Sequence, residues 1–122
     1  MTVVVSGDND ILFIVSGSGS FTGTIEAESF YQTSLRQLKE NIACFSASAV
    51  EILKDVDVVS YTYKRHPDEF KIGIIADDTH EFIASKEHNR FDTGNSIGLL
   101  FKAVQELTAR VENLENRNLN YR

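Results

Sequence analysis

Residues Ile97 to Asn118 read "IGLLFKAVQELTARVENLENRN". The residues Ile97, Leu100, Val104, Leu107, Val111, Leu114 and Asn118 are spaced three, four, three, four, three, four. Apolar side chains at that spacing share one stripe of an α-helix, and a strict seven-residue repeat is the a/d seam of a coiled coil. With Ile97 at a, β-branched residues fill a and leucine fills d, while Arg110 takes g and Glu115 takes e, the separation at which a parallel partner helix forms an ion pair. A helix buried within one globular domain also carries an apolar stripe. Sustained over about three heptads, the repeat favours self-association instead. In isolated parallel coils this composition favours two strands, but a seam this short yields to whatever is fused upstream. The segment therefore predicts a long C-terminal helix with Ile97, Leu100, Val104, Leu107, Val111 and Leu114 as its oligomer contact.

Working back from this helix, "SKEHNRFDTGN" (Ser85 to Asn95) is polar and reads as an exposed loop. Asp78 and Glu81 have cap spacing, which predicts a short helix over "THEFIA". "VVSYTYK" (Val58 to Lys64) alternates and reads as a strand with an aromatic face. The chain's one proline, Pro67, is expected at a turn before the return strand "FKIGIIA". Tyr61, Tyr63, Ile72 and Ile74 are the expected local core of this hairpin. Ser48 and Glu51 have capping-box spacing, so another short helix begins there. The expected class is α+β: short helices, a β-hairpin and a long C-terminal helix.

Before Ser34 the chain changes character. Residues 1 to 33 hold no lysine or arginine, four acids and four of the seven glycines, whereas all 12 basic residues follow Ser34. The opening segment is rich in β-branched and aromatic residues broken by Gly and Ser, which is strand and turn chemistry. Phe21, Ile25 and Ala27 share a parity that Gly23 interrupts. Strands this short with one narrow apolar stripe cannot bury enough surface alone; several copies wound together could.

Composition excludes several functions. At 122 residues the chain has the length of one ordinary domain, and its net charge of −6 argues against a nucleic-acid partner. The single cysteine, Cys44, rules out an intrachain disulfide and reads as a small buried hydrophobe between Ala43 and Phe45. No apolar run approaches the length of a membrane span, so no membrane partner is expected. His66, His80 and His88 lie apart, and Asp77, Asp78 and Glu81 beside His80 are explained as an acidic helix start. No metal and no cofactor is expected.

Read in order, the chain runs from a Gly/Ser β segment to Ser34, "LKENI", "VVSYTYK", "IGIIADDTHEF" and "GLLFKAVQELTARVENLE". It resembles the C-terminal intramolecular chaperone of endosialidase family, the self-cleaving peptidase S74 domain at the ends of phage tail fibres, tailspikes and neck appendages. The resemblance covers Ser34 to about Leu114. It rests on Ser34 with Lys39, Glu40 and Asn41, on Gly73 and Ala76, and on Leu99, Leu100, Ala103 and Leu107. It implies residues 1–33 as the end of a β-rich fibre stalk and residues 34–122 as a chaperone and autoprotease whose C-terminal helix forms a trimeric bundle. It also implies that such a domain holds three chains in register while the upstream fibre domain of the same chain folds, then cuts itself off between Thr33 and Ser34.

By the same resemblance Ser34 and Lys39 are the catalytic pair, with Asn41 and Arg36 as candidate oxyanion or supporting residues. Assembly would take place in the host cytoplasm, the stalk staying in the virion and the chaperone part leaving. Two positions depart from the family pattern: Leu35 stands where an acidic or amide residue follows the serine, and Arg36 is two rather than three residues beyond it. The alternative that goes with Leu35 is a non-cleaving trimerisation or tip module. A receptor-binding tip would call for an exposed aromatic cluster, and none is visible in the sequence.

A serine hydroxyl needs a base, and a lysine at its ordinary pKa of about 10.4 is neutral in roughly one molecule in 2,500 at pH 7. Burial or a like charge such as Arg36 would raise that share, whereas Glu40 would lower it. Positions five apart on an α-helix lie about 140° apart, so Ser34 must precede any helix or Lys39 must come from another chain. Without the resemblance, Ser34 reads as an ordinary helix N-cap and Lys39 as a solvated side chain.

Overall fold

The structure, a computed structural model, describes the backbone of residues 2–4 and 12–120 and the side chains of residues 15–120. Its residues group into two compact units, Met1–Ile42 and Ala43–Arg122. In the first, strand β1 (Thr2–Val4) pairs antiparallel with β2 (Leu12–Ile14), Thr2 opposite Ile14 and Val4 opposite Leu12. From Val15 to Ile42 every residue is exposed, and Phe21, Ile25 and Ala27 lie in no strand. A single chain gives these short Gly/Ser-broken stretches no neighbour to pair with. The only regular element among them is a one-turn 3-10 helix, Arg36–Leu38.

The second unit is α+β. Helix α1 (Ala49–Lys54) starts where the sequence places it: the Ser48 hydroxyl accepts from the Glu51 amide at 3.3 Å. Strands β3 (Val59–Tyr63) and β4 (His66–Gly73) form an antiparallel hairpin, Val59 opposite Gly73 and Tyr63 opposite His66, with a register shift between Tyr61 and Tyr63. Pro67 is not in the turn. Lys64 and Arg65 make it, and Pro67 is the second residue of β4, tolerated because a two-stranded sheet has only edge strands and an edge position can go without a donor. The Tyr61 and Tyr63 rings meet edge to face with centroids 5.3 Å apart. Tyr61 also lies across β4 where Gly73 makes room; a Cβ there would sit 3.3 Å from its ring.

Two expectations fail between the hairpin and the last helix. "THEFIA" is a turn, not a helix: the Ile83 and Ala84 amides both donate to the His80 carbonyl, at 2.9 Å each. Ala84 then pairs with Phe91, and the Asp92 amide donates to Ile83 O at 2.7 Å. These contacts pull the chain extended just where a second helical turn would have to form. The loop 85–90 is exposed but closed, with the Ser85 amide on Arg90 O at 2.7 Å. The last helix also begins earlier than the apolar seam suggests. Helix α2 (Thr93–Asn120) is capped by Asp92, whose carboxylate accepts from the Asn95 amide at 2.8 Å.

Helix α2 has two apolar faces. Leu99 and Ala103 are buried against Ala49 of α1 and against Ile83, with Val50, Ile52, Leu53, Val56 and Ile74 packed around them. This cluster replaces the expected Tyr61, Tyr63, Ile72 and Ile74 core, of which Ile72 and Tyr63 are exposed and only Ile74 joins the cluster. A lone hairpin has nothing to cover its outer face. Cys44, expected to be buried, is exposed, because the chain at Ala43 and Cys44 belongs to no helix or strand. Glu106, one turn beyond Ala103, accepts from the Val50 amide at 2.9 Å and from Ser48 Oγ at 3.4 Å. Its carboxylate thus satisfies an orphan amide at the start of α1 and pins the two helices together.

Ile83 is the largest side chain buried to the last few per cent. Ile83→Ala should destabilise the second unit by about 2–4 kcal/mol and Glu106→Ala by about 1–2 kcal/mol in urea titrations. The Tyr61 phenol is raised above the ordinary tyrosine value of 10.0, chiefly by its hydrogen bond with Tyr63. A raised folded-state value means that its contribution is present below pH 10 and is lost as pH rises through the folded-state value. Tyr63→Phe should bring this titration back toward 10 in an ultraviolet absorbance titration.

Candidate functional site

Around Ser34 the backbone is extended: Leu35 has φ −81 and ψ 142. A single 3-10 turn follows, the Leu38 amide donating to Leu35 O at 3.1 Å and the Lys39 amide to Arg36 O at 3.0 Å. Lys39 is extended again, with φ −124 and ψ 151. Three residues of tight turn between two extended residues bring positions 34 and 39 back to one side, which a regular α-helix could not do. Lys39 Nζ accordingly donates to Ser34 Oγ at 2.5 Å. Both residues belong to the same chain and the same unit, and the Thr33–Ser34 peptide beside them is exposed. Ser34 does not cap the turn: Leu35 holds the cap position and makes no side-chain cap bond.

The other named residues are placed differently. Arg36 lies within the 3-10 turn, and Asn41 occupies a left-handed backbone conformation, φ 54. Among the described residues neither side chain hydrogen-bonds Ser34 or Lys39. Glu40 is exposed and makes no ion pair with Lys39. A serine held by a lysine at hydrogen-bond distance, next to an accessible peptide bond, is an arrangement in which a neutral lysine can take the hydroxyl proton. Both side chains face solvent, however, so the single chain does not supply the dry surround that favours a neutral amine.

The seam residues lie where the heptad reading puts them, along one stripe of α2. Ile97, Leu100, Val104, Leu107, Val111 and Leu114 are between 45% and 62% exposed. Beyond Glu106 the helix is exposed on every side to Asn120. At 28 residues α2 is about 42 Å long, so half of it projects past the core that holds its first turns.

The histidines stay apart in role as well as sequence. His80 accepts from the Phe82 amide at 3.1 Å, the His88 ring meets Ala76 O at 3.2 Å, and His66 opens β4. Among the described residues no group of three His, Cys, Asp or Glu side chains is close enough to hold a metal. One feature was invisible in the sequence. Phe45 and Phe82, far apart in the chain, meet edge to face at 5.7 Å and line an open apolar groove of about 400 Å³ with Gly94, Gly98, Leu99 and Lys102.

The model of the family described as chaperone of endosialidase, Peptidase S74, matches residues 36–88. This span carries the chaperone-of-endosialidase domain. The family supports a chaperone role and suggests a self-cleaving peptidase. The matched span takes in Lys39, Asn41, α1, the β3/β4 hairpin and the turn at His80; it opens two residues after Ser34 and closes before α2. No curated protein and no solved structure matches the chain.

Because the Ser34 and Lys39 side chains are exposed, removing them should leave folding intact. Ser34→Ala and Lys39→Met should each change the unfolding free energy of the second unit by less than about 0.5 kcal/mol in urea titrations.

Proposed function

We propose that this chain is an intramolecular chaperone that trimerises through α2, holds an upstream fibre or appendage domain of the same polypeptide in register while it folds, and then cuts the Thr33–Ser34 bond. The observation that carries this reading is the 2.5 Å contact between Lys39 Nζ and Ser34 Oγ beside that exposed bond. The domain family supports the chaperone role. The uncovered seam supports the assembly. The six apolar side chains of the stripe are about half covered already, so a partner that buried the rest would contribute roughly 1 kcal/mol for each. The residues up to Thr33 would be the end of the stalk and stay with the virion; the chaperone would act in the host cytoplasm and leave after cleavage.

The reaction balances without a cofactor. Neutral Lys39 takes the proton of Ser34 Oγ as Oγ attacks the Thr33 carbonyl carbon, giving a tetrahedral oxyanion. Its collapse breaks the Thr33–Ser34 C–N bond, and the proton on Lys39 passes to the departing nitrogen, which becomes the Ser34 amine. Thr33 is now an ester on Ser34 Oγ. Water adds to that ester, the C–O bond breaks, and the products are a Thr33 carboxylate and a free Ser34 hydroxyl. One event per chain suffices, so no rapid turnover is needed.

A permanent trimerisation or tip module is the second reading, favoured by Leu35, which puts an apolar side chain beside the serine. The two separate on the mass of the chain expressed with its natural stalk. Self-cleavage gives a fragment beginning at Ser34, lost in Ser34→Ala, in Lys39→Ala and in Lys39→Arg, whose guanidinium cannot act as a base. A full-length chain in folded trimers would sink the cleavage. For assembly, Leu107→Lys with Val111→Lys should turn a sedimenting trimer into a monomer; a parent chain that sediments as a stable monomer rejects the seam.

A further inference from the structure

Asn41 is one of two non-glycine residues with positive φ among the described residues, at φ 54. Left-handed backbone costs an ordinary L-residue roughly 1–2 kcal/mol, and asparagine and glycine are the residues that adopt it readily. The Asn41 side chain is exposed, and among the described residues its amide has no hydrogen-bond partner. What the position uses is therefore the backbone of asparagine, not its amide. Its place in the chain gives that backbone a consequence. Lys39 is tied on its N-terminal side by its amide bond to Arg36 O, while Lys39 and Glu40 are irregular and have no ladder to hold them. The bend at Asn41 lets the chain change direction after Glu40 without drawing Lys39 out of the turn.

Resting on the Ser34–Lys39 reading above, we propose that Asn41 is a positioning residue for this pair, acting through its left-handed backbone to keep Lys39 Nζ on Ser34 Oγ. A residue confined to negative φ would pass the change of direction to Glu40 and Lys39, and Nζ would leave the hydroxyl. An oxyanion role for the amide makes the opposite prediction for glycine, which keeps the backbone and discards the side chain.

The test uses the full chain and two readouts. In the first, Asn41→Gly should cleave within about twofold of the parent, and Asn41→Val should slow cleavage at least tenfold while the helix content and unfolding midpoint stay unchanged. The second does not depend on cleavage. In a Cys44→Ser background, Ser34→Cys places a thiol beside Lys39, and its alkylation by iodoacetamide is followed against pH by mass. The adjacent ammonium should lower the thiol's apparent pKa by roughly one unit relative to the same chain with Lys39→Met. That shift should survive Asn41→Gly and disappear with Asn41→Val. If it survives Asn41→Val, or is lost with Asn41→Gly, the proposal is overturned. If it follows the expected pattern in a chain that never cuts itself, Asn41 positions the pair and the cleavage reading alone falls.

Discussion

Helix α2 carries two apolar faces, and the described residues of its own unit cover only one. Leu99 and Ala103 take α1 and Ile83; the stripe from Ile97 to Leu114 takes nothing. The choice is fixed by the size of what covers the first face. Helix α1 has six residues, too short to stand alone, and is held by Ala49 in the core and by the Glu106 carboxylate on its first turn. Both anchors lie on the face of α2 that includes Ala103 and Glu106, so docking α1 leaves the heptad stripe outside. The free end past Glu106 has no core to lean on. Helical stability in proteins comes mostly from packing an amphipathic face. In the proposed reading, partner helices cover this exposed end and its a/d repeat.

The pair near the seam at residue 34 depends on a different economy. A 3-10 turn is a poor element to extend, since its hydrogen bonds are strained, but three residues of it are enough to return the chain on itself. Here that brings a hydroxyl and an amine five residues apart into contact. Both side chains of the pair are exposed in the single chain.

Much of the second unit is readable from local sequence. The three-residue spacing of Ser48 and Glu51 is itself the cap bond, the alternation of Val58 to Lys64 is the strand, and the heptads are the helix. The failures share a cause. "THEFIA" has helix chemistry but is overruled by the Ala84–Phe91 pairing and the Asp92 bond to Ile83 O, which no local pattern encodes. Pro67 carries a turn signal, yet a free edge strand accepts it. Tyr61, Tyr63, Ile72 and Ile74 look like a core because alternation reveals which residues share a face, not whether anything lies opposite. The Glu106 bond to α1 spans 56 positions and has no signature at all. At the candidate site, the residue types Ser34 and Lys39 were legible by family resemblance. The 3-10 geometry that joins them was not, although the Asp92 cap, an Asp three residues before Asn95, could have been read.

Both unfinished features ask for the same thing. In the proposed reading the stripe on α2 takes apolar surface against it, and assembly covers the Ser34–Lys39 pair. That shared dependence on assembly is what makes the order of events hold. Association is concentration-dependent and strongly favoured by the stripe, so it precedes any dehydration that depends on it. Timing is then set by packing energy instead of by a separate switch, and a chain that never finds its partners is seldom cut.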